Sequence, residues 1–101
     1  PSKRAIEGVV VAIDHFGNLL TNIDATALSR LQQRFPDSAI TVQMAKTRIS
    51  GIAASYREGK KRVPLAIIGS RGLLEISVNC GSAHQVLAAG KNDTVRVSAT
   101  P

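Results

Sequence analysis

The sequence predicts an all-β fold: a small closed or partly open β-barrel of about seven strands with one short helix. Short segments that are apolar, or that alternate between apolar and polar residues, recur along the chain. Turn-forming residues separate them at intervals of about 8–15 residues, which is typical of a small barrel or sandwich. One segment instead has its apolar residues at helical spacing. At 101 residues the chain has the length of one domain, so residues 1–101 are expected to form a single unit.

Seven segments are predicted to be strands. The first two form a hairpin around a tight turn at 14–18. Gly51 in the fourth is expected to form a bulge, and the fifth is wholly apolar, so it should be buried on both faces. The sixth alternates apolar and polar residues, so it should be half-buried. The predicted strands are 5–13, 19–23, 39–44, 48–55, 65–68, 74–78 and 94–98.

The predicted helix runs from Ala25 to Arg34. Asp24, just before it, is a residue type that caps helix N-termini. The segment 36–38 contains a proline and stops the helix. Residues 82–88 are expected to add one or two further helical turns.

Composition narrows the class of protein. The chain is 44% hydrophobic and 20% charged, which is normal for a soluble globular domain. No apolar run approaches the roughly 20 residues of a membrane span. A single cysteine, Cys80, cannot form an internal disulfide, which favours a cytoplasmic location. One cysteine and two histidines are too few for a structural zinc site, so no metal is expected.

The net charge of +6 raises the alternative of a basic barrel that binds RNA. Basic residues cluster at 2–4 and 57–62, and such clusters can bind phosphates. The second cluster contains Glu58-Gly59, however, and has the composition of a solvated hairpin tip. Single-strand binders also need aromatic platforms, and the chain has only three aromatic residues. Nucleic acid is therefore the less favoured partner.

Polar residues lie at both ends of the sixth strand. Gly69-Ser70-Arg71-Gly72 precedes it and Asn79-Cys80-Gly81-Ser82 follows it. Glycine allows backbone angles and close approaches that a Cβ would block. The strand is suited to form the wall of a site for a small polar ligand, although an ordinary half-buried strand between two loops has the same composition.

Three separated stretches resemble the S-adenosylmethionine hydroxide adenosyltransferases, which are related to the fluorinase and chlorinase. Residues 13–23 resemble that family's Asp-x-Phe-Gly-Asn-x-x-Thr-Asn-Ile hairpin. Residues 70–83 resemble its Ser-x-Gly and Leu-Glu-Ile-Ala-Val-Asn-x-Gly-x-Ala signature. Tyr56 is similar to an aromatic residue that the family places against adenine. Order and spacing agree from Glu7 to Val97.

The resemblance implies the C-terminal domain of a two-domain enzyme. Such enzymes displace L-methionine from S-adenosylmethionine by adding hydroxide or halide at the ribose C5′. They assemble as trimers, with each active site between the N-terminal domain of one subunit and the C-terminal domain of its neighbour. The catalytic residues are expected in the N-terminal domain, so this chain alone should hold half of a ligand site and no complete catalytic machinery. No cofactor is implied.

Roles at the amino-acid end of this substrate follow from side-chain chemistry. The planar guanidinium of Arg71 suits the methionyl carboxylate, although Arg71 could equally be a solvated turn residue. Ser70 can share that carboxylate or the ammonium, or be a simple turn hydroxyl. Asp14 can pair with the ammonium, or form an Asx-turn in its own hairpin.

Roles at the adenine end are similar expectations. The amide of Asn18 matches an adenine edge, but Asn18 could instead be the left-handed residue of its turn. Tyr56 could stack on adenine or cap the barrel end. Asn79 and backbone groups of Cys80 complete the set, so the Asn18 turn and the Ser70-Arg71 loop are expected to meet at one rim. Phe16 is expected to pack, and the two histidines are given no role.

The nucleophile is left between two alternatives. The halogenating branch of the family tends to have arginine after this serine, as at Arg71. That branch also inserts a proline-containing step before Phe-Gly-Asn, which is absent here. Hairpin length and Leu74-Glu75-Ile76 favour hydroxide, and therefore a S-adenosylmethionine hydrolase, over a halogenase.

Overall fold

The computed structural model describes residues 4–56 and 60–100, and these ranges form seven strands and two helices. The elements are β1 Ala5–Ile13, β2 Leu19–Asp24, α1 Ala25–Arg34, β3 Ala39–Met44, β4 Thr47–Ser50, β5 Pro64–Ile68, β6 Leu73–Val78, α2 Ala83–Val86 and β7 Thr94–Thr100. The predicted all-β class is therefore confirmed.

The strands form one sheet that curls into a nearly closed barrel. Its strand order is β4-β3-β7-β1-β2-β6-β5, and every neighbouring pair is antiparallel. The two end strands approach each other just after β4, where Ala53 bridges to Ile67. There the backbone N–H of Ala53 donates to the carbonyl of Ala66 over 2.8 Å. The expected closed or partly open barrel is confirmed.

Alternating side chains of the strands fill the barrel. In β6 the apolar positions Leu74, Ile76 and Val78 are buried, as the alternation predicts. The apolar β5 buries three consecutive residues, Leu65 to Ile67, which confirms its expected burial on both faces. Burying a leucine, isoleucine or valine side chain contributes about 1.5–3 kcal/mol to the free energy of folding, so these buried side chains dominate the stability of the fold.

The first strand pairs with a different neighbour along each half of its length. Residues 5–9 pair with β7, whereas residues 10–13 pair with β2. Gly8 lies at this crossing, where an added Cβ would overlap the side chains of Asn22 and Ile23. The Oδ1 atom of Asn22 accepts the backbone N–H of Val9 over 2.9 Å. The pairing of the last residues of β1 with β2 sets the direction of the hairpin turn that follows.

The first helix begins at the predicted cap, and the second begins at a cap that only the structure shows. The carboxylate of Asp24 accepts the N–H of Ala27 over 2.8 Å, and α1 then packs Leu28 and Leu31 into the core. The second helix is a single turn whose N-terminal cap is Ser82. The expected helical segments are confirmed, with the shorter alternative realised at 82–88.

The fourth strand differs from its predicted span of 48–55. It ends at Ser50, because Gly51 adopts a φ of +76°, which turns the chain out of the sheet instead of forming a bulge within it. The following residues keep only the single bridge at Ala53. The expected hairpin tip at 57–62 includes 57–59, which lie outside the described residues.

Candidate functional site

The hairpin turn at 14–18 and the loop at 69–72 line the same groove. The part of the groove between them, here called the loop compartment, has a volume of about 540 Å³. This volume is within the range of about 300–1,000 Å³ that is common for small-molecule sites. Its lining residues are Asp14, Phe16, Asn18, Leu20, Tyr56, Ile68, Gly69, Ser70, Arg71 and Glu75.

A second cavity of about 410 Å³ continues the groove toward the other end of β6. We call it the strand-end compartment. The two compartments share Phe16, Asn18 and Tyr56, so one elongated molecule can extend through both. The strand-end compartment is lined by Phe16, Asn18, Tyr56, Ser77, Val78, Asn79, Cys80 and Gly81.

Asp14 organises the hairpin turn. Its Oδ1 atom accepts the backbone N–H groups of Phe16 and Asn18, and its Oδ2 atom accepts Nδ2 of Asn18, each over 2.9 Å. Burial by itself would raise the pKa of Asp14, but the hydrogen bonds from Asn18, Phe16 and Gly17 lower it below the ordinary value. The Asx-turn is therefore realised.

Asn18 is held by side chains on both sides of its amide. Its nitrogen donates to Asp14, and its Oδ1 accepts the hydroxyl of Ser77 over 2.7 Å. Ser77 is only 2% exposed and Asn18 is half-buried, so this hydrogen bond is partly shielded from water. The left-handed residue of the turn is Gly17, with a φ of +85°, and not Asn18. These contacts orient the amide of Asn18 at the junction of the compartments.

The hairpin also docks onto the start of α2. The carbonyl of Gly17 accepts the N–H of His84 over 2.9 Å. A Cβ at Gly17 would overlap the side chain of Ser82. Glycine is therefore required twice at this position, for its backbone angle and for its close approach to α2. Nothing in the sequence indicated that these two segments meet.

Tyr56 lies between the two compartments with its ring 43% exposed. Its hydroxyl donates to Oε1 of Glu75 over 3.2 Å, and its carbonyl accepts Nδ2 of Asn79 over 2.8 Å. Burial, and then the negative charge and hydrogen bond of Glu75, raise the pKa of Tyr56 above its ordinary value. An exposed, anchored ring is suited to stack on a planar ligand, and less suited to cap a barrel end.

Two residues of the groove were missed or misjudged from the sequence. Glu75 faces the loop compartment, and an added Cβ at Gly69 would overlap its carboxylate. Its place on the polar face of β6, two residues before Ser77, was the available signal. The expectation that Phe16 packs is wrong: it is 74% exposed, with its ring edge-to-face against His15 at 5.4 Å between centroids. Phe16 lies at the tip of the hairpin, beyond any strand that could cover it.

The remaining candidates line the two ends of the groove. Ser70 and Arg71 are exposed in a tight turn that is closed by the N–H of Gly72 donating to the carbonyl of Gly69 over 3.0 Å. At the other end, Cys80 is exposed with a φ of +60°. The structure therefore places all seven sequence-predicted site residues on the groove: Asp14, Asn18, Tyr56, Ser70, Arg71, Asn79 and Cys80.

Within residues 4–56 and 60–100, no group of three or more histidine, cysteine, aspartate or glutamate residues could hold a metal ion. No helix there is both long and apolar enough to cross a membrane.

The nearly closed barrel and the two-part groove at its rim define a small all-β domain with a candidate ligand site. The chain belongs to the SAM hydroxide adenosyltransferase C-terminal domain family, whose family model matches residues 8–96. This match confirms the resemblance stated from the motifs.

Similar proteins agree with this family. The chain is 32% identical over 91 residues to the (R)-S-adenosyl-L-methionine hydrolase of Thermus thermophilus, covering 90% of this chain and 31% of that protein. The crystal structure of an uncharacterized conserved protein from Thermotoga maritima matches with a TM-score of 0.79 and 28% identity, over 97% of this chain and 37% of that one. A conserved hypothetical protein from Thermus thermophilus matches with a TM-score of 0.69 and 34% identity, over 90% and 34% of the two chains. The chain thus spans about a third of these relatives.

Proposed function

We propose that this chain is the substrate-binding C-terminal domain of an enzyme that cleaves S-adenosylmethionine with hydroxide to adenosine and L-methionine. Membership of the family and the name of the Thermus thermophilus relative support the reaction class. Because the chain covers 31% of that relative, the complete activity requires the rest of the protein.

The observation that carries the proposal is the two-part groove. S-adenosylmethionine has a nucleoside at one end and an amino acid at the other, so its site needs two chemically different regions. Here Arg71 and Ser70 line only the loop compartment, whereas Asn79 and Cys80 line only the strand-end compartment. Tyr56 and Asn18 belong to both, where the two halves of such a ligand would join.

The strand-end compartment is assigned to adenine. Tyr56 presents an exposed ring for stacking, and Asn18 presents an amide that Asp14 and Ser77 already orient. Each end of that amide keeps capacity for one further hydrogen bond, which suits the donor and acceptor edge of a purine. Backbone groups of Cys80 and the side chain of Asn79 complete the compartment.

The loop compartment is assigned to the methionyl group. The guanidinium of Arg71 can hold both oxygens of the carboxylate, with the hydroxyl of Ser70 beside it. The negative charge of Asp14, which lines the same compartment, suits the ammonium. The carboxylate and the ammonium on the methionyl α-carbon thus each face a side chain of opposite charge.

The chemistry is a direct displacement at C5′ with a sulfonium leaving group. Since the leaving group is already activated, we propose that no cofactor takes part. This domain aligns C5′ toward the catalytic residues, and alignment can contribute about 7–11 kcal/mol to lowering a barrier. We propose that those residues belong to the N-terminal domain of a neighbouring subunit in a homotrimer, and that the enzyme is cytoplasmic.

The test uses the full-length protein. Incubation with S-adenosylmethionine should release adenosine and L-methionine in equal amounts, measured by liquid chromatography. Calorimetric titration should give binding of S-adenosylmethionine and of adenosine. Formation of a 5′-halo-5′-deoxyadenosine in chloride or fluoride buffer would identify the halogenase alternative. Salt-sensitive binding of RNA oligonucleotides, with neither binding nor cleavage of S-adenosylmethionine, would overturn the proposal.

A further inference from the structure

Two carboxylates of the described residues, those of Asp14 and Glu75, line the loop compartment. They differ in how many hydrogen bonds their oxygens already accept. Asp14 accepts three hydrogen bonds from its own hairpin. Glu75 accepts one within the described part of the chain, from the hydroxyl of Tyr56. A carboxylate has about four acceptor sites, so Glu75 retains most of its capacity for a ligand.

Glu75 lies between the two ends of the groove. It is the third residue of β6, which runs from Leu73 to Val78, with the Ser70-Arg71 loop before the strand and Asn79-Cys80 after it. A strand rises about 3.3 Å per residue, so β6 measures about 17 Å. The carboxylate of Glu75 lies in the loop compartment, between Gly69 and the hydroxyl of Tyr56, and Tyr56 lines both compartments. A ligand that extends from Arg71 to Cys80 and passes Tyr56 at its middle comes close to this carboxylate. In S-adenosylmethionine that middle carries the sulfonium.

Two neighbours hold the Glu75 carboxylate at this place. An added Cβ at Gly69 would overlap it, so the glycine provides its space. The Tyr56 hydroxyl donates to it over 3.2 Å.

We propose that Glu75 is the counter-charge of the substrate sulfonium. This inference rests on the proposed function and adds a residue that selects for the charged form of sulfur. In the reaction the hydroxide oxygen bonds to C5′ and the C5′–S bond breaks. The electron pair of that bond passes to sulfur, which leaves as the neutral thioether of L-methionine.

The attraction to Glu75 is therefore strongest in the bound substrate and fades as the C5′–S bond breaks. An interaction that is weaker in the transition state than in the ground state supports binding and not the chemical step. Glu75 thus captures the cationic substrate and releases the neutral product, and it should also favour sulfonium ligands over their thioether analogues.

The experiment compares two ligands on full-length wild-type protein and on Glu75→Gln. S-adenosylmethionine carries the sulfonium, and S-adenosylhomocysteine is the thioether with the same two ends. Glu75→Gln should weaken binding of S-adenosylmethionine about 5- to 10-fold, corresponding to about 1–1.4 kcal/mol, and leave S-adenosylhomocysteine within about twofold. KM should rise while kcat does not fall. Glu7→Gln, the same change at an exposed carboxylate paired with Arg96 over 2.9 Å, should alter neither ligand.

Equal weakening of both ligands by Glu75→Gln, or of neither, would overturn the inference. Wild-type protein that binds neither ligand would instead overturn the proposed function. If circular dichroism shows that Glu75→Gln is unfolded, Tyr56→Phe decides, because it keeps the ring and removes only the hydroxyl that holds the carboxylate. Tyr56→Phe should lower the preference for the sulfonium about two- to threefold, and an unchanged preference would count against the inference.

Discussion

The hydroxyl of Ser77 donates a 2.7 Å hydrogen bond to Oδ1 of Asn18, joining β6 to a hairpin turn 59 residues away in sequence. The amide nitrogen of Asn18 donates in turn to the carboxylate of Asp14, which also accepts the backbone N–H of Asn18 and so holds the turn. One buried hydroxyl thereby fixes the orientation of an amide at the junction of the two compartments. The precision of the proposed adenine end depends on these hydrogen bonds.

Removing that hydroxyl should affect both folding and binding. Ser77→Ala leaves the Asn18 oxygen without its partner. Such a loss costs about 1–3 kcal/mol for a buried group, and the half-buried Asn18 should lie at the lower end of that range. We expect a lower free energy of unfolding in urea and weaker binding of adenosine. Ser29→Ala, on the exposed face of α1, is the matched control and should change neither. Unaltered adenosine affinity in Ser77→Ala would contradict the proposed role of Asn18.

Gly17 should be far less replaceable than another left-handed glycine. Gly17→Ala meets both a φ of +85° and the side chain of Ser82, whereas Gly51→Ala meets a φ of +76° with no atom within 4 Å. The backbone angle alone costs about 1–2 kcal/mol. The overlap should add about 1–3 kcal/mol for Gly17→Ala only. Urea unfolding of both variants measures the difference, and equal losses would show that the hairpin does not need its contact with α2.

The phenol of Tyr56 should titrate above pH 10. It is the only tyrosine of the chain, so absorbance of tyrosinate at high pH reports on it alone. Its pKa is raised by burial and then by Glu75, so Glu75→Gln should lower the midpoint without returning it fully to the ordinary value. Glu7→Gln serves as the control and should leave the midpoint unchanged. A midpoint insensitive to Glu75→Gln would mean that the two side chains do not interact.

The raised pKa of Tyr56 also makes the stability of the fold depend on pH. Because the folded state holds the Tyr56 proton more tightly than the unfolded state does, the protonated phenol adds to the free energy of unfolding, and this contribution is fully present below pH 10. That contribution is lost as the pH rises from 10 through the pKa of the folded protein. Urea unfolding of wild type and Tyr56→Phe across this range should show the extra loss in the wild type only.

Arg71 should discriminate between whole substrate and nucleoside. In the full-length protein, Arg71→Ala removes the proposed partner of the methionyl carboxylate, and hydrogen bonds to charged groups contribute about 1.5–3 kcal/mol. Binding of S-adenosylmethionine should therefore weaken at least about tenfold, while adenosine affinity stays the same. Arg71→Lys should recover part of the loss, because it keeps the charge without the bidentate fork. Arg30→Ala on α1 provides the control. If Arg71→Ala weakened the binding of both ligands equally, Arg71 would not be the partner of the methionyl carboxylate.

Much of the fold could be predicted from local patterns. Alternation in β6 and the apolar run of β5 predicted burial, because side chains of a strand point to opposite faces and a buried face excludes polar residues. The cap at Asp24 predicted the start of α1 because its side chain satisfies a backbone donor of that same turn. The end of β4 was misjudged, since Gly51 is compatible with either a bulge or a turn and its neighbours decide between them.

The sequence by itself determined most of the strands, the helix and seven of the residues that line the groove, because each depends on local periodicity or on motifs that stand in one stretch of chain. The tertiary structure alone decided how those residues are used. It brought Ser77 to Asn18, Gly17 to Ser82 and Tyr56 to Glu75, and it left Phe16 uncovered. These contacts join residues from different strands and turns, and only closure of the sheet brings such segments within a few ångströms of each other.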